Sequence, residues 1–227
     1  MKRIGKILCG VLVVVLVAGW WAHWPRPALK PGADADRLAR QIMSAVNAEA
    51  WNELDRVVFS FFGQKYDWRV QDKQVYIGDG DDRNVLNLGD ETCEAVAGNP
   101  GPDEGACASL FARWYNDSFW LNPFGKFFDP GAKRSTCLEK ETPGPWLCVE
   151  FGAGGKTPGD LYAIQSGPDG RPMAWRMWVG ILPIGGIHTA WSGWEEQTGG
   201  AWFAKERRGF GLTLPIKMLE IEAPHRP

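Results

Sequence analysis

Histidine is scarce in this chain, with 3 residues among 227, so a His-rich metal centre is excluded. Neither sign of charge predominates, because 25 basic and 27 acidic residues leave a net charge of -2. A nucleic-acid-binding surface needs a basic patch, and we therefore expect no nucleic-acid partner. Internal repeats are absent as well. We expect no metal and no other cofactor.

The signatures of common catalytic sites are missing too. Ser192 lies between Trp191 and Gly193, which is not the glycine-flanked elbow of a serine nucleophile. The segment from Gly152 to Thr157 lacks the four-residue spacer of a phosphate-binding loop. His188 alternates with Ala190 along a predicted strand and is interpreted as a structural histidine. The sequence therefore favours a protein that is not an enzyme.

Tryptophan, glycine and proline are abundant, with 13, 28 and 16 residues, and this mixture is typical of antiparallel β-proteins with many turns. A helical spacing of apolar residues predicts helices from about Asp34 to Ala50 and from Glu104 to Asn116, with Asn116 and Asp117 capping the second. We expect one α+β domain over residues 34–222, with a curved antiparallel sheet, or half β-barrel, covered by helices. Strands are predicted at Arg56–Phe62, Tyr66–Val70, Gln74–Ile77, Asn84–Leu88, Ser135–Lys140, Trp146–Phe151, Asp160–Gln165, Pro172–Trp178, Ile187–Glu195 and Ala201–Lys205.

The first 24 residues have the pattern of an export segment. Lys2, Arg3 and Lys6 precede an apolar run over residues 7–22, which places the following chain across the membrane. Small residues before Trp20 allow cleavage, whereas the tryptophans at the end of the run favour a retained anchor, and both alternatives remain open. A Pro-rich stalk is expected over residues 25–33 and a short tail over residues 223–227. Either alternative predicts a domain on the periplasmic face, anchored or soluble.

Four cysteines lie in the predicted domain, and an even number in an exported chain favours two disulfides. Three pairings are possible. Cys137 and Cys148 flank a Pro-Gly turn and would face each other across a hairpin, while Cys93 and Cys107 would close a Gly/Pro-rich loop. We therefore favour these two pairs over the alternative of buried free thiols.

Aromatic residues are concentrated between Trp114 and Phe128, where they alternate with Asn and Asp. Further along, Met173, Trp175 and Met177 fall on one face of a predicted strand, and such a flexible apolar set suits a cavity. The candidate ligand-binding residues are Trp114, Phe119, Trp120, Met173, Trp175, Met177 and Trp191. Ordinary core packing is the alternative for each of them.

Two other segments have open interpretations. The apolar loop at residues 181–187 is expected to be either a buried plug or a lid that faces the membrane. Arg207 and Arg208 are interpreted as the solvated end of a strand.

Four features follow one another along the chain in a recognisable order. They are a helix before a strand meander, the segment Trp114-Tyr115-Asn116-Asp117-Ser118-Phe119-Trp120-Leu121-Asn122-Pro123-Phe124, the motif Thr157-Pro158-Gly159-Asp160 and the strand Trp191-Ser192-Gly193-Trp194. Over residues 34–210 the chain resembles uncharacterised exported bacterial proteins with the fold of the LolA/LolB lipoprotein carriers. The resemblance implies an eleven-stranded half-barrel whose apolar cavity accepts acyl chains, and it brings no catalytic residues. It implies a lipid or apolar small molecule as partner. The membrane would be reached through the N-terminal segment, and a retained anchor there would be a departure from the carriers. A carbohydrate-binding module and an envelope protein-interaction or sensor module are the alternatives.

Overall fold

The computed structural model describes residues 23–80, 83–96, 101–138, 144–152, 158–209 and 211–224. Residues 1–22 of the predicted export segment lie outside these residues, as do residues 153–157 of the glycine-rich loop and residues 225–227 of the tail. The described helices are α1 (Ala33–Ala45) and α2 (Glu104–Leu121), with 3-10 turns at Ala48–Glu53, Phe124–Lys126 and Thr198–Gly200. The strands are β1 (Leu29–Pro31), β2 (Arg56–Phe61), β3 (Gln64–Arg69), β4 (Gln74–Ile77), β5 (Asn84–Asn87), β6 (Thr92–Ala95), β7 (Ala132–Leu138), β8 (Pro145–Phe151), β9 (Asp160–Ser166), β10 (Pro172–Trp178), β11 (Ile187–Glu196), β12 (Trp202–Gly209), β13 (Leu212–Thr213) and β14 (Ile216–Glu222).

The strands form two antiparallel sheets, and neither sheet closes on itself. The larger sheet has eight strands in the order β1-β7-β8-β9-β10-β11-β12-β13. The smaller sheet has six strands in the order β14-β2-β3-β4-β5-β6. The α+β class expected from the sequence is therefore confirmed. No helix within the described ranges is long and apolar enough to cross a membrane.

Helix α1 covers the inner face of the larger sheet because small residues recur along one side of it. Ala35, Ala39 and Ile42 are buried and pack into a cluster with Leu147 and Trp175. The helix ends at Ala45, five residues before the predicted end, because Asn47 takes a left-handed conformation with φ 45°. The chain then continues as a 3-10 turn.

Helix α2 is longer than the sequence predicts. Its first turn is capped by the carboxylate of Asp103, which accepts a hydrogen bond of 2.7 Å from the amide of Ala106. The helix continues through the predicted end at Asn116 and stops at Leu121, because the residue before Pro123 is disfavoured in helical conformation. The expected capping role of Asn116 and Asp117 is therefore wrong, since both lie inside the helix.

The end of the predicted export segment and part of the expected stalk lie against the larger sheet. The amide of Trp24 donates to the carbonyl of Gly185 at 2.9 Å, and the indole of Trp178 donates to the carbonyl of Trp24 at 2.7 Å. Residues 29–31 then pair with β7, with Leu29 opposite Cys137. The N-terminal segment is thus an edge strand of the larger sheet and a cover for its outer face.

Both favoured disulfide pairs are present. Cys137 is joined to Cys148 between the adjacent strands β7 and β8, and both residues are buried. Cys93 is joined to Cys107, which ties β6 to the first turn of α2. These bonds are compatible with an oxidising compartment such as the periplasm or the extracellular space.

Candidate functional site

Two clusters of buried side chains meet at the C-terminal half of α2. One cluster lies between α2 and the smaller sheet, and the other lies between α1 and the inner face of the larger sheet. The indole ring of Trp120 packs against both clusters. The end of α2 therefore joins the two halves of the domain.

The second cluster is built around the indole of Trp175. The ring centroid of Trp120 is 4.8 Å away and that of Trp191 is also 4.8 Å away, both with edge-to-face geometry. Phe119 stacks at 5.9 Å and Tyr162 lies at 5.2 Å. We call these five residues the aromatic site. Two of its rings come from α2, and three come from strands of the larger sheet.

The structure thus brings together four of the predicted ligand-binding residues, namely Phe119, Trp120, Trp175 and Trp191. Their rings fill the space between helix and sheet, so in this conformation the interior is packed where the sequence predicted an open cavity. An open depression lies elsewhere, between α1 and the turn at residues 166–170, and its lining mixes polar and apolar side chains evenly.

The other three candidates lie apart from the aromatic site. Trp114 packs in the cluster of the smaller sheet, 5.7 Å from the ring of Tyr66. Met177 is buried, whereas Met173 has 46% of its surface exposed and does not line the interior. A register shift between Pro172 and Ala174 interrupts the pairing of β10 with β9 beside Met173, so the simple alternation assumed for this strand does not hold there.

Arg207 is the residue of the site that sequence reasoning missed. It was expected at a solvated strand end, but its exposure is 1%, while the side chain of Arg208 is 62% exposed. Its Nη1 donates to the carbonyl of Ala204 at 2.7 Å and its Nη2 to the carbonyl of Leu121 at 3.3 Å. The guanidinium also lies over the ring of Trp191, 4.4 Å from the centroid.

No carboxylate of the described residues forms an ion pair with Arg207. Its complete burial therefore acts unopposed and lowers the pKa of the guanidinium to about 9. A buried cation held only by backbone carbonyls and ring faces is uncommon, because burial of a charge is normally compensated by an opposite charge.

Three buried donors around Arg207 have no acceptor within the described part of the chain. They are Nε of Arg207, Nε1 of Trp191 and Nε1 of Trp175. The rings of the two tryptophans are in contact, and the guanidinium lies over the ring of Trp191, so the three side chains that carry these donors are contiguous. Buried donors without partners are rare in folded proteins. This group of donors is the most unusual chemical feature of the interior.

A second buried polar contact fixes the middle of α2. The hydroxyl of Tyr66 on β3 donates to Oδ2 of Asp117, and Nδ2 of Asn116 donates to Oδ1 of the same carboxylate at 2.8 Å. Burial raises the pKa of the Tyr66 hydroxyl, and the hydrogen bond and negative charge of Asp117 raise it further. Of the two residues that sequence reasoning assigned to capping, Asp117 thus attaches α2 to the smaller sheet, and Asn116 holds the carboxylate of Asp117.

The apolar loop after β10 is not a buried plug. Ile181 is 71% exposed and Leu182 is 39% exposed, while Gly185 and Gly186 at its end lie against Trp24. A Cβ at Gly186 would overlap the side chain of Trp24, which explains the glycine there. The exposed apolar tip therefore belongs to a loop whose other end contacts Trp24.

Surface chemistry of other kinds receives little support from the described residues. None of their tryptophans is exposed, so they form no flat aromatic platform for a sugar ring. They also contain no group of three or more His, Cys, Asp or Glu side chains that could hold a metal ion. Ser192 donates a hydrogen bond to Glu206 at 3.2 Å in an exposed position.

Comparisons with protein-family models, with curated proteins and with solved structures find no match to this chain.

Proposed function

We propose that this protein is an exported binding protein with a LolA-like half-barrel, which holds the apolar chain of a lipid or similar molecule at the aromatic site. The coarse architecture agrees with this proposal, since two open antiparallel sheets are covered by two helices in the described residues. Helix α2 would act as the movable cover. A ligand would enter by replacing the rings that α2 places on the sheet.

The proposal rests on the position of Phe119 and Trp120, which belong to α2 but pack on the larger sheet. They reach the inner face of the larger sheet and occupy the surface formed by Trp175 and Tyr162. An acyl chain is apolar and flexible, and it would make comparable contacts with these rings.

The size of the ligand follows from the cost of this replacement. Two aromatic side chains bury about 300–500 Å² together. At about 25 cal/mol per Å², exposing them costs about 7–12 kcal/mol. Each buried methylene contributes about 0.8 kcal/mol, so a chain of about 16 carbons offsets the cost and one of about 8 carbons does not. We therefore expect a long-chain ligand.

The test is native mass spectrometry of the full chain, first for lipid that copurifies and then with added methyl esters of 8, 12, 16 and 18 carbons, lengths chosen to bracket the threshold of about 16. Adducts are expected with the two longest esters only. The variant Trp120→Ala should extend binding to the 12-carbon ester, because less ring surface must be displaced. The control Trp202→Ala changes a half-buried tryptophan outside the aromatic site and should leave the threshold unchanged. Absence of adducts at every length would refute the proposal.

The proposed location is the outer side of the cytoplasmic membrane. The two disulfides support an oxidising compartment, and the exposed Ile181 and Leu182 beside Trp24 would face the bilayer if the export segment were retained. N-terminal sequencing of the protein from membrane and soluble fractions distinguishes a retained anchor from a cleaved signal.

One observation favours an envelope protein-interaction or sensor module as a second candidate. The turn between β2 and β3 places Phe62 in a left-handed conformation, with φ 46°, and leaves 68% of its surface exposed. This conformation is unfavourable for a bulky residue, and its occurrence at an exposed turn favours a role for the ring. Crosslinking at Phe62 in intact cells would reveal a protein partner.

A further inference from the structure

The unpaired donors around Arg207 indicate more than an apolar ligand. We propose that the ligand carries an anionic oxygen group, a carboxylate or a phosphate, and that Arg207 binds this group at the inner end of the aromatic site. This inference rests on the proposed function and adds the chemical class of the ligand's head group to it.

The charge of Arg207 is the first reason. Its two hydrogen bonds go to neutral carbonyls, and its two ring contacts are with Trp191 and Phe203, at 4.4 and 4.7 Å. The carbonyl of Leu121 belongs to the last residue of α2, where the helix dipole is negative. These groups compensate the charge only in part. An anion would complete the compensation, since charge-assisted hydrogen bonds are the strongest that a guanidinium makes.

The geometry of the guanidinium is the second reason. Nε and Nη2 form one edge of the group, and Arg56 in the same chain uses this edge to bind both oxygens of Asp67, each at 2.8 Å. In Arg207 the Nε has no acceptor among the described residues, and Nη2 is held by the carbonyl of Leu121 at a long 3.3 Å. Half of a two-oxygen binding edge is therefore unused by the described part of the chain.

Opening of α2 would make the whole edge available. Leu121 directly follows Trp120, so displacing the ring of Trp120 would also withdraw the carbonyl that occupies Nη2. Nε and Nη2 would then be free together, next to the ring of Trp191. The same movement that admits an acyl chain thus prepares the site for its anionic end.

The experiment compares three ligands with the same 18-carbon chain, a length above the threshold of about 16. They are oleate, oleoyl lysophosphatidate and the uncharged methyl oleate, each titrated into the full chain in non-ionic detergent. We expect oleate or lysophosphatidate to bind about 10- to 100-fold more tightly than the ester, as a charge-assisted contact predicts. The tighter of the two identifies carboxylate or phosphate.

Two matched variants assign the effect to its residue. Arg207→Met should abolish the difference in affinity between the charged ligands and methyl oleate. Arg208→Met, which changes the exposed neighbour, should behave as the native chain does. Trp191→Phe keeps the ring but removes one donor, and a smaller loss of preference is expected.

Equal binding of oleate, lysophosphatidate and the ester by the native chain would overturn the inference while leaving the proposed function intact, and this comparison needs no variant. If Arg207→Met and Arg208→Met lost the preference for charged ligands equally, the inference would also be overturned, because nonspecific electrostatic attraction would then explain the preference. If none of the three ligands binds, the proposed function fails and the inference fails with it.

Discussion

Removal of the Tyr66 hydroxyl measures how firmly α2 is attached to the smaller sheet. Tyr66→Phe keeps the ring, which stacks on Phe59 at 4.8 Å, so no cavity of consequence forms. It deletes the hydrogen bond to Asp117, whose carboxylate belongs to a residue that is 7% exposed and keeps the amide of Asn116 as a donor. A hydrogen bond to a charged group contributes about 1.5–3 kcal/mol, and the buried carboxylate left behind places the expected loss of unfolding free energy near the upper end.

The assay is urea unfolding with both disulfides intact, followed by tryptophan fluorescence. Tyr115→Phe is the matched control, because its hydroxyl donates to Glu91 at 2.7 Å from a residue that is 37% exposed. We expect this control to lose less than about 0.5 kcal/mol, since water replaces the lost bond. A double-mutant cycle with Asp117→Asn should return a coupling energy above about 1 kcal/mol. Equal effects of the two Tyr→Phe changes would refute the attachment inferred for α2.

Two further predictions concern the strands. Arg56→Met should lower the unfolding free energy at neutral pH by about 2–4 kcal/mol, against less than about 1 kcal/mol for the exposed Arg37→Met. Burial by itself raises the pKa of Asp67, but the hydrogen bonds and charges of Arg56 and Arg69 outweigh it and hold that pKa below its usual value. The stabilisation by this ion pair is therefore present above the unfolded-state pKa of about 4 and is lost as the pH falls through the lower folded-state pKa. Urea unfolding should accordingly show that the difference in unfolding free energy between the native chain and Arg56→Met disappears in acid. Limited reduction should open the half-buried Cys93–Cys107 before the buried Cys137–Cys148, as alkylation and mass spectrometry would show; the reverse order would contradict the burial of the second bond.

Local patterns in the sequence predicted the strands well where turns are short. Strand β10 runs over Pro172–Trp178 as predicted, and the meander from β2 to β5 is confirmed apart from its end residues. Both disulfide pairs were also predicted, because each joins cysteines that are close along the chain. Where structure is decided within about 15 residues, hydrophobic period and turn chemistry suffice.

Features set by distant contacts could not be predicted in this way. The segment at residues 117–121 contains Asp, Ser and aromatic residues, which favour turns or strands, yet it is helical because Asp117 is bound by Tyr66 and the rings pack on the larger sheet. Strands β1 and β14 pair with partners far along the chain and carry little signal of their own.

The burial of Arg207 could not be predicted from the sequence either. Strand alternation places adjacent arginines on opposite faces but does not say which face is inside. The deciding contact is the carbonyl of Leu121, 86 residues away. A sequence pattern could therefore indicate aromatic residues in the interior but not the cation among them.

The attachment of the N-terminal segment has a consequence for the order of folding. Leu29 pairs with Cys137 and Trp24 binds at Gly185, so the first contact cannot form before β7 has been synthesised, nor the second before the chain has been synthesised as far as Gly185. Contacts between distant residues form late. Trp24 packs against the cluster that contains Cys137 and Cys148, so we expect these thiols to be oxidised while the segment is still detached. Residues 24–31 would thus reach their place late, after the bond beneath them has closed.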